Sequence, residues 1–363
     1  MNTKSLFLGS AAALFAVSGA YAADAVVVAE PEPMEYVRVC DVYGAGFYYI
    51  PGTETCLRVG GYLRYDIGVG DRTGYGGFTD VVDKGDAFDG VDSLNDTYYK
   101  RARVALQLDA RSETELGTLR AYMHLNFNWD GGDVNDDGIT TTSTEVAIEH
   151  AYIELGGFRI GKSDSLFSTF TGYAGGVIAD DIIPYGPFDT HQIVYTYTGG
   201  NGFSAAIGLE EGDGPLFTLD SYVPHVVGGL SFTQGWGGVS AVVGYDSVWE
   251  EWAGKVRLDV NATETVSLFI MGGWQSDADR PNFYGSWNGD WAVWGGGTAK
   301  LSEKATLNVQ LSYTETEDFA AVAGLAYELV PNLTITPEVN YVDNFDVDGE
   351  DGVGGFLRFQ RNF

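Results

Sequence analysis

From residue 57 to the end of the chain, apolar and polar side chains alternate in one stretch after another. Ala102, Val104, Leu106 and Leu108 interleave with Arg101, Arg103, Gln107 and Asp109. Leu119, Ala121, Met123, Leu125 and Phe127 do the same with Arg120, Tyr122, His124, Asn126 and Asn128. Later come Leu307, Val309, Leu311 and Tyr313 against Thr306, Asn308, Gln310 and Ser312, then Leu333, Ile335, Val339 and Tyr341 against Thr334, Thr336, Glu338 and Asn340. A period of two with one apolar face predicts strands of a sheet whose faces meet unlike surroundings. The polar face is rich in Asn, Gln, Thr, Ser and Gly with a few Arg, not the dense charge of a solvated sandwich. The stretches suit a tilted membrane crossing of about 9–11 residues better than soluble strands of about 5–6.

The connections alternate in length. Tight ones fall at Ser112–Gly117, Gly156-Gly157, Gly199–Gly202, Gln234–Gly238, Asn261–Glu264, Ser302–Lys304 and Val330–Asn332. Longer ones, mostly acidic, lie between them at 68–96, 130–143, 163–189, 211–222, 276–288 and 343–352. Short turns on one side and long loops on the other are the signature of a transmembrane antiparallel β-barrel, with the short turns periplasmic. About sixteen strands are expected, an even number that closes and leaves an aqueous lumen. Tyr98, Tyr99, Trp129, Trp249, Trp252, Trp274, Trp287, Trp291, Tyr327 and Tyr341 gather near strand ends, where interfacial girdles belong.

The N-terminus sets the compartment. Lys4, the apolar run Leu6–Val17 and the small-x-small site Ala20-Tyr21-Ala22 read as a signal peptide over 1–22. Residues 23–55 then form a periplasmic lead-in, and 56–363 the barrel. Mean hydropathy is −0.06, which by itself would describe a soluble chain; alternating faces give the same mean. The formal net charge of −31 excludes nucleic acid as a partner and sits largely in the loops. Cys40 and Cys56 are the whole thiol inventory, and an isolated pair in an oxidising compartment reads as a disulfide.

Eleven stretches carry a family resemblance. They are MNTKSLFLGSAAAL (1–14), YVRVCDVYGAGFYYIPGTETCLRVGGYLRYD (36–66), SETELGTLR (112–120), AYIELGGFRIGK (151–162), TFTGYAGGVI (169–178), YTGGNGFSAAIGLE (197–210), VPHVVGGL (223–230), YDSVWEEWAGKVRLDV (245–260), GDWAVWGG (289–296), AYELVPNLTITPEV (326–339) and FLRFQRNF (356–363). Together they resemble the general porins of Rhizobiales-type alphaproteobacteria. The resemblance implies a homotrimer of 16-stranded barrels in the outer membrane that passes small hydrophilic solutes passively. It also implies that the third loop folds into the lumen. The acidic loops 68–96 and 130–143 match least.

Selectivity in a pore is set at its narrowest ring. Segment 163–189 lies between the fifth and sixth strands and mixes Phe167, Phe170, Val177, Ile178, Ile182 and Ile183 with small residues and acids. Apolar anchors suit a loop packed inside a barrel. Asp164, Asp180, Asp181 and Asp189 are its candidate acids. Parity puts Arg58 and Arg64, then Arg101, Arg103 and Arg111, then Arg120, and finally Arg358 on the polar faces of the first, second, third and last strands. Arg64, Arg101, Arg103 and Arg358 are the wall candidates for the constriction, and Lys255 and Arg257 form a weaker pair. The bland alternative is that the arginines pair with luminal acids such as Asp66 and Asp109.

Phe363, with Phe359 and Leu357 at odd spacing, resembles the signal read by the barrel-assembly machinery; Arg361 departs from that pattern. Outer-membrane lipid and lipopolysaccharide are the expected surroundings. No catalytic role is expected: His124, His150, His191 and His225 are scattered, and no G-x-S-x-G occurs. Asp133-x-Asn135-x-Asp137-Gly138 starts like a calcium loop, but its twelfth position is Thr144. No cofactor or metal is expected.

Overall fold

The structure is a computed structural model that describes residues 38–71, 77–135, 137–347, 349 and 351–363. The expected signal peptide lies outside the described residues. Strands β1 (Cys56–Gly70), β2 (Tyr99–Thr114), β3 (Gly117–Gly132) and β4 (Thr141–Leu155) are the long ones, at 15 or 16 residues each. They are followed by β5 (Phe158–Asp164), β6 (Asp189–Thr198), β7 (Phe203–Glu210) and β8 (His225–Gln234). Next come β9 (Gly237–Asp246), β10 (Glu251–Asn261), β11 (Val266–Gln275) and β12 (Trp291–Lys300). β13 (Ala305–Thr314), β14 (Asp318–Val330), β15 (Leu333–Asn344) and β16 (Gly352–Asn362) complete the set.

Each strand pairs antiparallel with its neighbour, and β16 pairs back onto β1 from Gly354↔Gly70 to Asn362↔Tyr62. The ring is therefore closed at sixteen strands. Closure is what a membrane demands, because an open edge would leave backbone groups unsatisfied in hydrocarbon. Among the described residues no helix is long and apolar enough to cross a bilayer.

Burial is inverted relative to a soluble protein. On the apolar rows Val256, Ile270 and Val339 are 57%, 59% and 62% exposed. On the opposite rows Lys255, Gln310 and Asn340 are 1–2% exposed. Only a barrel with lipid outside and a polar interior makes sense of that order.

Local sequence explains the turns. Gly156 and Gly157 both have positive φ, 58° and 92°, as a two-residue hairpin of the favoured hand requires. Two connections on the long-loop side, 247–250 and 315–317, are short. In the first, the Asp246 carboxylate accepts from the N–H groups of Val248 and Trp249, closing the turn locally. Cys40 and Cys56 form the disulfide, with Cα atoms 6.0 Å apart. Tyr48–Tyr49 adds a two-residue strand to the start of β1. Phe363 exchanges backbone hydrogen bonds with Gly61.

The interior has two unlike halves. Arginine, tyrosine and amide side chains line β1–β5 and β16. On β6–β14, inward positions such as Val194, Val242, Met271 and Trp294 are apolar and fully covered. Their cover comes from two connections, 165–188 and 276–290. The second departs from the sequence reading, which made it a solvated loop with Trp287 in a girdle. Phe283, Tyr284 and Trp287 are buried instead, and Tyr284 packs its ring 5.1 Å from Phe167 of the first connection. Gly244 and Gly273 make room: a Cβ there would lie 2.5 Å from the Tyr284 ring and 2.9 Å from Trp287.

Candidate functional site

Inward-facing residues of β16, β1, β2 and β3 stand in horizontal rows because antiparallel register puts cross-strand partners at one height. The upper row runs Arg358, Asp66, Arg101, Asp130. Arg358 donates to Asp66 through Nε and Nη2 at 2.8 and 3.0 Å. Arg101 donates to Asp130 through Nε at 2.6 Å. The next row down is Gln360, Arg64, Arg103, Asn128. Here Arg64 Nε donates to Gln360 Oε1 at 2.9 Å and Arg103 Nε to Asn128 Oδ1 at 2.7 Å. Nearer the short turns, Asp109 takes Arg111 at 2.7 Å, Arg120 at 3.0 Å and Arg58 at 3.5 Å. Arg120 and Arg159 also share Glu154.

Tyrosines lie between the guanidiniums. Arg64 sits 4.6 Å over the Tyr62 ring, Arg120 4.6 Å over Tyr122, and Arg159 4.7 Å over Tyr152. Stacking of this kind fixes the guanidinium plane and leaves its edge for hydrogen bonds.

Connection 165–188 is tied to inward positions on strand after strand. At its start Glu210 of β7 accepts from Ser165 Oγ at 2.7 Å and Leu166 N at 2.8 Å. The same carboxylate accepts from Tyr284 Oη at 3.0 Å, so one buried acid holds both connections. Arg257 and Lys255 of β10 donate to the carbonyls of Tyr173 and Tyr185, each at 2.5 Å. Trp294 of β12 donates to the Ile183 carbonyl at 2.9 Å, and Gln310 of β13 to that of Asp180 at 2.7 Å. On β15, Glu338 accepts from Ile178 N at 2.5 Å and Ala179 N at 2.9 Å.

The candidate acids fall in different places. Asp180 and Asp181 lie next to the Glu338 anchor. Burial raises the Asp180 carboxyl to about 6, with Tyr185 Oη donating 2.7 Å away as a partial offset and Asp181 and Glu338 pushing further upward. Asp181 is raised too, again by burial. Asp164 accepts from the Tyr173 hydroxyl, and burial, reinforced by that hydrogen bond, holds the phenol well above its usual range. Asp189 alternates with inward Thr190 and Gln192, so it shares the outward row of Ile193 and Tyr195 and ion-pairs with Lys162.

Sequence reading missed the loop anchors Glu210, Glu338, Gln310 and Trp294. Parity marks each as inward, but alternation cannot tell an anchor from an ordinary luminal side chain. It also missed residues 282–287; the nearest signal is the run Val242-Val243-Gly244, apolar or small on both faces where a solvated lumen would want polar groups. Among the described residues no cluster of His, Cys, Asp and Glu has the arrangement of a metal site. Asp133 turns its carboxylate onto the N–H groups of Asp137 and Gly138.

A closed sixteen-strand barrel with an apolar outer surface and a charged inner wall defines the class of bacterial outer-membrane β-barrel channels. The model of the Porin subfamily matches residues 24–356, and the chain belongs to that subfamily. Porin Omp2a of Brucella melitensis biotype 1 is 50% identical over 385 residues, covering 100% of both chains. Porin Omp2b of Brucella neotomae is 50% identical over 378 residues with the same coverage. Among solved structures, the outer-membrane channel DcaP of Acinetobacter baumannii superposes with a TM-score of 0.62. It shares 17% identity and covers 87% of this chain and 99% of its own. A triple mutant of the Rhodopseudomonas blastica porin gives a TM-score of 0.54 at 12% identity, over 85% and 100% of the two chains. The Brucella relatives carry the family and the outer-membrane location; the structural likeness carries the fold.

Proposed function

We propose that the chain is a passive, water-filled channel for small hydrophilic solutes and ions. Connection 165–188 narrows the lumen from one side, and the arginine wall of β1, β2, β3 and β16 bounds it on the other. The observation that carries this reading is the set of hydrogen bonds from 165–188 to inward side chains of β7, β10, β12, β13 and β15. A connection anchored on those strands leaves the opposite, arginine-bearing wall as the water path.

In this reading Asp180 and Asp181 supply the negative edge and Arg64 and Arg103 the positive one, with Arg101 and Arg358, ion-paired to Asp130 and Asp66, in the row above. Asp164 belongs to the rim through Tyr173. Asp189, on the outward row with Lys162, has no part in it. A field across the opening holds water in order and hinders apolar solutes. The channel works as a homotrimer among outer-membrane lipid and lipopolysaccharide. Phe363, Phe359 and Leu357 are read by the barrel-assembly machinery, and no step is catalysed.

Proteoliposome swelling tests the proposal. Refolded protein should admit small sugars at rates that fall steeply with solute size. Equal exclusion of all sugars, with folding shown by heat-modifiable migration, would contradict it.

A further inference from the structure

We infer that Arg64 and Arg103 form a binding site for phosphate- or carboxylate-bearing solutes on the luminal wall. This rests on the proposed function, since it needs an open lumen in front of β1 and β2. The two residues are direct cross-strand partners on the inward face. Like charges directly opposite one another destabilise a sheet.

At the neighbouring charged heights of this wall the fold supplies carboxylates. Asp66 and Asp130 neutralise Arg358 and Arg101 above, and Asp109 and Glu154 serve the arginines below. Arg64 and Arg103 are different. Among the described residues neither has a carboxylate partner, and their terminal Nη groups donate to no protein acceptor. Two rows separate them from the lower cluster, first Tyr62, Ala105 and Asn126, then Gly60, Gln107 and His124, and neither holds a carboxylate. Asn126 and Asn128 instead bind Glu149 and Glu145 on β4, at 2.5 and 2.9 Å, which keeps those acids off the pair.

What remains is prearranged for an anion. The Nε atoms are held by Gln360 and Asn128, and Tyr62 lies under the Arg64 plane. Two half-buried guanidiniums with free Nη edges match the oxygens of a phosphate or carboxylate, and fork geometry favours such oxyanions over chloride. A mobile anion here supplies the charge balance that protein acids supply elsewhere on the wall.

Inorganic phosphate is the probe. Single-channel current in potassium chloride is recorded as phosphate is added at constant ionic strength. Wild type should show a concentration-dependent reduction. Arg64→Gln with Arg103→Gln should raise the half-effective concentration by about tenfold or more, the effect of losing charge-assisted hydrogen bonds. Arg280→Gln with Glu251→Gln removes an ion pair between β10 and connection 276–290, away from this wall, and should leave it within about threefold. Channels that conduct potassium chloride yet ignore phosphate, or whose response survives the Arg64/Arg103 change, overturn the site and leave the channel reading intact. The phosphorus-31 linewidth of phosphate with detergent-solubilised protein decides the matter without conduction. Broadening should be lost in the double variant, and equal linewidths overturn the inference.

Discussion

At the scale of single residues, charge in the lumen is mostly cancelled locally, and the exceptions carry the behaviour. Asp180 is one. Its carboxyl is raised to about 6 by burial, so it is ionised at pH 7 and neutral at pH 5. Protonation removes negative charge from the connection, so cation preference should fall as pH drops through about 6. Asp180→Asn should flatten that step, read as reversal potential in a salt gradient; an unchanged step would assign the titration elsewhere. Arg101 and Arg358 are the opposite case, each already matched by a carboxylate. Parity in the sequence assigns Arg101 and Arg358 to the polar faces of their strands, the faces that also carry Asp130 and Asp66. It cannot say which arginine has an acid beside it, because that depends on register across strands far apart in the chain: Arg358 and Asp66 are 292 residues apart.

At the scale of elements, two connections share one buried packing surface. Glu338 pins 165–188 from β15 with two backbone N–H groups, and hydrogen bonds to a charged group are worth about 1.5–3 kcal/mol each. Glu338→Ala should therefore loosen the connection and raise both mean conductance and open-channel noise; a quiet, unchanged trace would show that the anchor is dispensable. Gly244→Val tests the other connection. A side chain there meets the Tyr284 ring, and overpacking of this kind costs about 1–3 kcal/mol, seen as a lower thermal midpoint in detergent. A midpoint equal to wild type would mean that 276–290 moves aside freely. The apolar anchors of 165–188 were legible in its composition. Those of 276–290 were not, because three aromatics among acids and glycines look the same in a solvated loop.

At the scale of the whole molecule, strand number, closure and the inside-out distribution of polarity follow from period two and from the alternation of short and long connections. Alternation survives in sequence because lipid and lumen both act on every strand. The inner cover of β6–β14 weakens it locally, and there the reading was least informative. The Cys40–Cys56 link closes a short loop at the start of the barrel. On the chain-entropy model its removal by Cys40→Ser and Cys56→Ser should cost about 3 kcal/mol, read as a lower urea midpoint of the detergent-solubilised barrel. The central claim is that this barrel is a charged, water-filled channel with Asp180 and Asp181 at its narrows. Single-channel recording in a planar bilayer under a potassium chloride gradient tests it most directly. Wild type should insert in discrete conductance steps, and Asp180→Asn with Asp181→Asn should shift the reversal potential toward anions. Folded protein that leaves the bilayer silent, or a double variant with the wild-type reversal potential, would contradict the account.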